Sequence, residues 1–167
     1  IHDVWKHTNL GSMTSYSVSL QPHDVSMIII SPDRTNATAI RYEAEVASYQ
    51  NGAHFNNDHT GCSGEGFVDQ LSGEHTGADV LFGVYADYTG SHRITMRYAN
   101  ATGAASSATI KVKSETNAQV DTAVLSLPAL SSWDDWGTAS VSVELNQGLN
   151  LISVGRETTD TTNTNQI

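Results

Sequence analysis

Apolar and polar residues alternate in short runs over most of this chain, and this alternation constrains the fold more than any other feature. The run His-Arg-Ile-Thr-Met-Arg-Tyr at 92–98 alternates ring-bearing or aliphatic side chains with arginine and threonine. Successive side chains of a strand point to opposite faces, so the run predicts a strand with one buried and one wet face. Comparable runs, some of them more continuously apolar, cover the segments 80–84, 110–113, 120–127, 141–145 and 149–154.

Turn-forming residues separate these runs. Asn146-Gln-Gly148 joins the last two runs at the spacing of a β-hairpin, and Ser, Thr, Gly and Asn are abundant between the others. No sequence unit repeats along the chain, which argues against a solenoid or a propeller. The pattern predicts an all-β fold over residues 40–167, an antiparallel β-sandwich of the jelly-roll kind.

Residues 1–31 are predicted to form a short β-hairpin at the end of another, upstream β-domain. The segment 16–20 alternates apolar and polar residues, 25–30 is almost wholly apolar, and a turn containing Pro22 separates them. The polar segment 32–39 contains proline and lacks periodicity. It is therefore predicted to be the linker to the sandwich.

Composition and charge exclude several classes of function. The formal net charge of −10 would repel nucleic acid, and no run approaches the roughly 20 apolar residues that a membrane-spanning helix needs. The chain begins at Ile1 without an initiator methionine or a leader, so we expect a processed piece of a longer protein. Sequons at Asn36 and Asn100 predict glycosylation and fit a secreted, extracellular protein, whereas the lone Cys62 has no disulfide partner in the chain.

Glu43 and Glu45 form the most informative pair of carboxylates. The segment 41–48 is predicted to be a strand, in which residues two apart share a face, so the two side chains are expected to lie side by side. Neighbouring carboxylates repel each other and usually need a cation, and Ca²⁺ is a hard ion that takes oxygen ligands. The pair predicts a structural calcium half-site, and two solvated surface carboxylates are the alternative.

Five motifs follow one another in a fixed order along residues 40–167. They are Tyr42-Glu-Ala-Glu45, Cys62-Ser-Gly-Glu-Gly-Phe-Val68, Tyr98-Ala-Asn100, Trp133-Asp-Asp-Trp136 and Leu145-Asn-Gln-Gly-Leu-Asn-Leu-Ile152. Their order and spacing resemble the carbohydrate-binding modules of families 35 and 6. The resemblance implies a calcium-containing β-sandwich that is attached to a glycoside hydrolase and binds sugars without cleaving them.

The same resemblance, together with the spacing of two tryptophans, predicts the residues that hold the sugar. Trp133 and Trp136 would point to different faces of an extended strand, so we expect Trp136 in the sandwich and Trp133 at the ligand. In the resembled families the sugar site lies at loop ends, with aromatic residues and an asparagine just before the last strand. This implies Asn165 for the asparagine, and Phe55 or Tyr49 for a second aromatic residue.

The two ends of the chain carry further expectations. Asp3-Val-Trp-Lys-His7 and His23-Asp-Val-Ser-Met-Ile28 resemble the closing strands of the C-terminal β-domain of glycoside hydrolase family 27, the α-galactosidases. This implies that a catalytic domain lies upstream of Ile1. In the resembled binding modules the last strand carries an aspartate that helps to hold calcium, but this sequence stops at Asn165-Gln-Ile167, so the final strand is expected to be truncated.

Two other chemistries remain open. His54, His59 and Cys62 are three zinc donors close together in sequence, although no fourth is obvious. Glycoside hydrolysis needs an acid and a second carboxylate at a fixed separation, and the candidates are Glu65, Asp69, Asp134 and Asp135.

The prediction for function is a non-catalytic, calcium-stabilised carbohydrate-binding module at the C-terminal end of a secreted glycosidase. Such a module acts by proximity, because a tethered binder keeps the enzyme near its polysaccharide. The resemblance implies a galactose-, mannan- or uronate-type glycan as the partner. The alternatives are a fragment of an enzyme of the α-galactosidase type, a free lectin or adhesin domain, and a structural spacer.

Overall fold

The computed structural model describes residues 2–3, 8–10, 13, 15–29, 39–71, 75 and 77–156. Two compact units make up the chain, Ile1–Arg41 and Tyr42–Ile167. The predicted glycosylation site Asn36, nearly all of the predicted linker 32–39 and the end of the chain around Asn165 lie outside the described residues. No helix in the part of the chain that the structure describes is long and apolar enough to cross a membrane.

The first unit contains a small antiparallel sheet. β1 (His2–Asp3) pairs on one side with β2 (Thr8–Asn9) and on the other with β3 (Ile28–Ile29). β3 is shorter than the predicted strand at 25–30. The predicted strand at 16–20 is wrong, because residues 16–20 form no strand and most of them are exposed. An alternating pattern makes a strand only where a neighbouring strand accepts its backbone hydrogen bonds.

The predicted turn at Pro22 is confirmed. The backbone N–H of Asp24 donates to the carbonyl oxygen of Gln21 at 3.0 Å, and the Asp24 carboxylate accepts the backbone N–H of Gln21 at 3.1 Å. Aspartate favours such turns because its side chain can accept a backbone hydrogen bond nearby.

The second unit is a β-sandwich. Its elements in chain order are a 3-10 helix (Ala44–Val46), β4 (Ser48–Gln50), β5 (His54–Asn56), β6 (Phe67–Asp69), β7 (Asp79–Ala86), β8 (Gly90–Tyr98), β9 (Ser106–Ser114), β10 (Gln119–Leu127), β11 (Gly137–Leu145) and β12 (Gly148–Gly155). A five-stranded sheet has the order β10-β9-β12-β7-β4, while β8 pairs with β11 and β5 with β6, all antiparallel. The predicted all-β antiparallel sandwich of the jelly-roll kind is confirmed.

The five-stranded sheet and the β8–β11 pair both contribute side chains to one hydrophobic core. Val154 on β12 faces Val80 on β7 and Ile110 on β9, and all three are almost completely buried. Tyr98 and Val143, from the β8–β11 ladder, belong to the same core cluster. Burial of each large apolar side chain contributes about 1.5–3 kcal/mol, so the period-two pattern of the sequence determines which face of each strand turns inward.

Asn100, which the sequence predicts as a glycosylation site, lies inside this core. Its side chain is fully buried, and Nδ2 donates hydrogen bonds of 2.9 Å to the carbonyl oxygens of Ala104 and Leu127. Oδ1 accepts the hydroxyl of Thr102 at 2.7 Å. A glycan attached to Nδ2 would have to break these two hydrogen bonds, so the buried position does not favour glycosylation there. Asn100 instead joins the loop after β8 to the end of β10.

Candidate functional site

The loop 57–66, which connects β5 to β6, forms the frame of the candidate site. Asp134 Oδ1 accepts the backbone N–H of Thr60 at 2.6 Å and the Thr60 hydroxyl at 3.1 Å. The indole Nε1 of Trp136 donates to the Thr60 carbonyl at 2.9 Å, and Nη2 of Arg97 donates to the Gly61 carbonyl at 2.6 Å. Side chains from β8 and from the segment before β11 therefore hold the loop at two adjacent peptide groups.

Trp133 lies in a turn and Trp136 in the irregular segment just before β11, so the prediction that they share an extended strand is wrong. β11 begins only at Gly137. The Asp135 carboxylate accepts the hydroxyl of Ser131 at 2.9 Å, and the Asp135 backbone N–H donates to the Ser132 carbonyl at 3.3 Å. Aspartate and serine close turns in this way, which is why the segment leaves the extended conformation.

Four rings lie next to one another on and beside the loop. Trp136 packs edge-on against the buried ring of Phe67, with centroids 5.5 Å apart. His59 lies 6.1 Å from Phe67 and 6.4 Å from Trp133, tilted by about 30° to each. Trp136 thus packs against the buried Phe67, whereas Trp133 lies beside His59, and both indoles are half-buried.

Two carboxylates lie beside the ring of His59, which adjoins Trp133. Asp134 Oδ1 lies 3.6 Å from Nδ1 of His59, and Asp58 Oδ1 lies 3.8 Å from Nε2 of the same ring. Both carboxylates are more than half exposed. The backbone and hydroxyl hydrogen bonds from Thr60, with a smaller contribution from the charge of His59, lower the pKa of Asp134 below its ordinary value of 3.8. The Asp134 carboxylate is therefore ionised at neutral pH and can accept hydrogen bonds at the solvent-exposed side of the site.

Tyr49 and Phe55 occupy other positions. Tyr49 lies on β4 opposite Val80 and is 37% exposed, and Phe55 lies on β5 opposite Val68 and is 41% exposed. The Phe55 ring covers Gly66, where a Cβ atom would come within 2.5 Å of Cε2. Among the described residues, the structure shows no contact of either ring with the four rings described above, His59, Phe67, Trp133 and Trp136.

Glu43 and Glu45 converge on the same loop, although the predicted strand around them is wrong. Glu43 occupies the N-cap position of the 3-10 helix that contains Glu45 and makes no side-chain capping bond there. Glu43 Oε2 accepts the Ser63 hydroxyl at 2.8 Å, and Glu45 Oε1 accepts the backbone N–H of Glu65 at 3.0 Å. A short helix forms here because both carboxylates bond to the loop, whereas a strand would need a partner strand.

Gly64 lies between the two carboxylates. A Cβ atom on Gly64 would be 3.1 Å from the carboxyl carbon of Glu45 and 3.6 Å from that of Glu43, and its φ of +64° favours glycine. Two carboxylates around one small cradle fit an oxygen-liganded cation such as Ca²⁺. Within the described residues, no group of three or more His, Cys, Asp or Glu side chains could hold a metal ion.

The three zinc donors suggested by the sequence have separate partners. Nε2 of His54 lies 3.1 Å from Oδ1 of the buried Asp69, which also accepts the Asn56 amide at 2.9 Å. Cys62 Sγ donates to the carbonyl oxygen of His59 at 3.9 Å. The described arrangement gives no support to the zinc hypothesis.

The four candidate glycosidase carboxylates also have structural partners or lie apart. Asp69 is buried beneath His54, and Asp134 and Asp135 accept the hydrogen bonds that hold the loop and the turn. Glu65 is exposed on the loop, and its backbone N–H is bonded to another glutamate. Nothing in this arrangement favours hydrolysis over binding.

Sequence reasoning missed the contributions of Arg97 and Thr60 and the position of His59 beside Trp133. Arg97 appeared only as one of several polar residues on the wet face of a strand. Its partner Gly61 lies 36 residues away in sequence. No local signal marks a contact over such a separation.

Comparisons with known proteins were made for the sequence and for the fold. No family model matches the chain. The isomalto-dextranase of Arthrobacter globiformis is 34% identical over 168 residues, which is 96% of this chain and 26% of that protein. The 1,6-alpha-glucosyltransferase of Sporosarcina globispora is 37% identical over 123 residues, 71% of this chain and 9% of that protein. This chain thus spans about a quarter or less of these relatives.

Solved structures of carbohydrate-active enzymes and of a carbohydrate-binding module also resemble this chain. The Arthrobacter globiformis T6 isomalto-dextranase complexed with panose matches with a TM-score of 0.72 and 37% identity, over 99% of this chain and 28% of that one. A family 35 carbohydrate-binding module from Clostridium thermocellum matches with a TM-score of 0.64 and 25% identity, over 78% of this chain and 97% of the module. The chain therefore has a fold like that of family 35 carbohydrate-binding modules and resembles domains of carbohydrate-active enzymes. The resemblance of residues 1–31 to family 27 is not shown by these matches.

Proposed function

We propose that the second unit is a non-catalytic carbohydrate-binding module that holds a neutral α-glucan at the aromatic pair His59 and Trp133. One observation carries the proposal. A half-buried indole and an imidazole lie side by side at the end of the sandwich, next to the exposed carboxylates of Asp58 and Asp134. Rings of this kind stack on the apolar C–H face of a sugar, and the carboxylates accept hydrogen bonds from its hydroxyl groups.

The charge of the site favours a neutral ligand. Asp58 and Asp134 flank His59, and the whole chain carries a formal net charge of −10. A uronate would bring a further negative charge within a few ångströms of these carboxylates, and like charges at that separation repel. Uronate-type glycans are therefore the least suited of the ligands that the sequence suggested.

The names of the relatives support a glucan over galactose- or mannan-type ligands. They include an isomalto-dextranase, an isomaltosyltransferase, a 1,6-alpha-glucosyltransferase and cycloisomaltooligosaccharide glucanotransferases. One matched structure is a cycloisomaltooligosaccharide glucanotransferase complexed with cycloisomaltoheptaose. We take α-1,6-linked glucose oligomers, the isomaltooligosaccharides, as the ligand class.

Calcium is part of the proposal as a structural ion. Glu43 and Glu45 would hold it beside Gly64, where both carboxyl groups already converge. The ion would neutralise their mutual repulsion and join the 3-10 helix to the loop 57–66.

The first unit supports a place within a longer secreted glycosidase. The alignment with the isomalto-dextranase covers 96% of this chain, whereas that with the glucosyltransferase covers 71%. The first unit is thus also covered by the alignment with a glycan-degrading enzyme. In such a protein the module would keep an upstream catalytic domain close to its polysaccharide.

Calorimetric titration of the full chain with isomaltotriose, galactose, mannotriose and glucuronic acid tests the proposal. We expect saturable binding of isomaltotriose, with weaker or undetectable binding of the others, and no sugar released from an isomaltooligosaccharide by this chain. Absence of binding to every sugar would leave the structural spacer as the better description. Hydrolysis of isomaltotriose by the chain would overturn its non-catalytic role.

A further inference from the structure

We infer that Arg97 is a positioning residue for saccharide binding, which it supports through the loop 57–66 without touching the sugar. The inference rests on the proposed sugar site at His59 and Trp133. Arg97 lies on the exposed face of β8, outside the hydrophobic core. Its effect on the site follows from two contacts of the guanidinium group.

The first contact is with the loop backbone. Nη2 of Arg97 donates to the Gly61 carbonyl at 2.6 Å, only two residues after His59. Gly61 has a φ of +80°, a conformation that favours glycine. Because glycine has more conformational freedom than any other residue, this peptide group is a point at which the loop is easily deformed. A charge-assisted hydrogen bond at that point restrains it.

The second contact is with the indole that lies under the loop. The Arg97 guanidinium carbon lies 5.3 Å from the ring centroid of Trp136, within range of a cation–π interaction. Trp136 in turn donates to the Thr60 carbonyl at 2.9 Å. Arg97 therefore holds the loop directly at Gly61 and indirectly, through Trp136, at Thr60.

These two peptide groups determine where His59 lies. Thr60 is the residue that Asp134 binds through its amide and hydroxyl, and Asp134 also lies 3.6 Å from His59. If the loop samples other positions, the arrangement of His59 beside Trp133 and Asp134 is present in only a fraction of the molecules. The apparent affinity for a ligand falls in proportion to the fraction of molecules in the competent conformation.

The geometry calls for arginine. The guanidinium is planar, so it can lie over the indole while one of its N–H groups points to the carbonyl. A lysine ammonium could reach one of these partners, but it has no planar surface to stack on the ring. Arg93 provides a matched control, because it occupies the same exposed face of β8 four residues earlier, which is two strand repeats. The structure shows no hydrogen bond or ring contact of the Arg93 side chain with the residues it describes.

The experiment measures isomaltotriose binding to the full chain and to the variants Arg97→Met, Arg97→Lys and Arg93→Met, by calorimetry well below the melting temperature of each. We expect Arg97→Met to raise Kd roughly tenfold, the change that corresponds to a loss of about 1.4 kcal/mol. Arg97→Lys should fall between wild type and Arg97→Met, and Arg93→Met should bind like wild type. The NMR signal of the Trp136 indole N–H should shift in Arg97→Met and stay in place in Arg93→Met.

The outcomes separate this inference from the function on which it rests. If wild type does not bind isomaltotriose, the proposed function fails. If wild type binds and Arg97→Met binds equally well, the proposed function stands and the positioning role is overturned. A lower melting temperature with unchanged Kd would likewise show that Arg97 is only a structural residue. Trp136→Phe provides the second variant, because it keeps a ring and loses the hydrogen bond to Thr60. Wild-type affinity in both Arg97→Lys and Trp136→Phe would also overturn the inference.

Discussion

Replacing each tryptophan of the site by alanine should separate stability from sugar binding. The indole of Trp136 packs edge-on against the buried Phe67, donates a hydrogen bond to Thr60 and lies below the Arg97 guanidinium. The only ring contact that the described residues give Trp133 is the tilted one with His59 at 6.4 Å. The two substitutions remove side chains of the same size and differ in what those side chains touch.

The magnitude for Trp136→Ala follows from these contacts. An edge-on aromatic pair contributes about 0.5–1.5 kcal/mol, a partly exposed cation–π contact about 0.5–1 kcal/mol and a hydrogen bond about 1 kcal/mol. Together with the loss of apolar contact, we expect about 3 kcal/mol of destabilisation. For a domain of this size each kcal/mol shifts the melting temperature by about 3–4 °C, so Trp136→Ala should melt roughly 10 °C lower. Trp133→Ala should lose less than about 1 kcal/mol.

Thermal melts followed by circular dichroism and isomaltotriose titration of both variants provide the assay. Trp133→Ala should keep its melting temperature and lose sugar retention, because the stacking surface is gone. Trp136→Ala should melt early and, where it is still folded, bind more weakly because Thr60 is no longer held. Equal destabilisation by both substitutions, or wild-type sugar binding by Trp133→Ala, would show that the roles of the two indoles have been reversed or misjudged.

Three further perturbations follow from the structure. Removal of calcium with EDTA should lower the melting temperature, since an ion present at 100 times its Kd stabilises by about 2.7 kcal/mol, and an unchanged melt would count against the ion at Glu43 and Glu45. The pKa of Asp134 is lowered in the folded chain, so its hydrogen bonds from Thr60 should be fully formed well above pH 3.8 and be lost as pH falls through the lowered pKa. The Thr60 amide resonance, followed by NMR from pH 6 to 2.5, should move in wild type and not in Asp134→Asn. Asn100→Ala should cost about 2–4 kcal/mol in denaturant unfolding, because buried carbonyl groups lose their donor, and detection of a glycan on Asn100 would contradict its buried position.

The main strands of the sandwich could be predicted because they are encoded locally. In β8 the residues at 93, 95 and 97 are exposed while Tyr98 is buried, as the alternation requires. The turn at Gly148, whose φ is +98°, lies where Asn146-Gln-Gly148 indicated it. Strand period and turn chemistry act over a few residues, so they are visible in the sequence without knowledge of the partner strands.

Local patterns failed where hydrogen-bond partners distant in sequence decide the conformation. The segment at Glu43 and Glu45 has an alternating pattern, yet it forms a 3-10 helix in which the two carboxylates accept hydrogen bonds from the Ser63 hydroxyl and the Glu65 backbone N–H. Residues 16–20 alternate too, but no strand forms there. Extended backbone is stable only when neighbouring strands satisfy its polar groups, and a single sequence does not specify where those neighbours lie.

The sequence by itself determined the all-β class, the six long strands β7 to β12 and the residue types available for sugar and metal. The tertiary structure alone decided which of these residues come into contact. It brings Trp133 to His59 and places Arg97 over Trp136, while it leaves Tyr49 and Phe55 elsewhere and buries the Asn100 sequon. The physical reason is that strand propensity and turns depend on neighbours in the chain, whereas stacking, charge-assisted hydrogen bonds and burial depend on distances between residues dozens of positions apart.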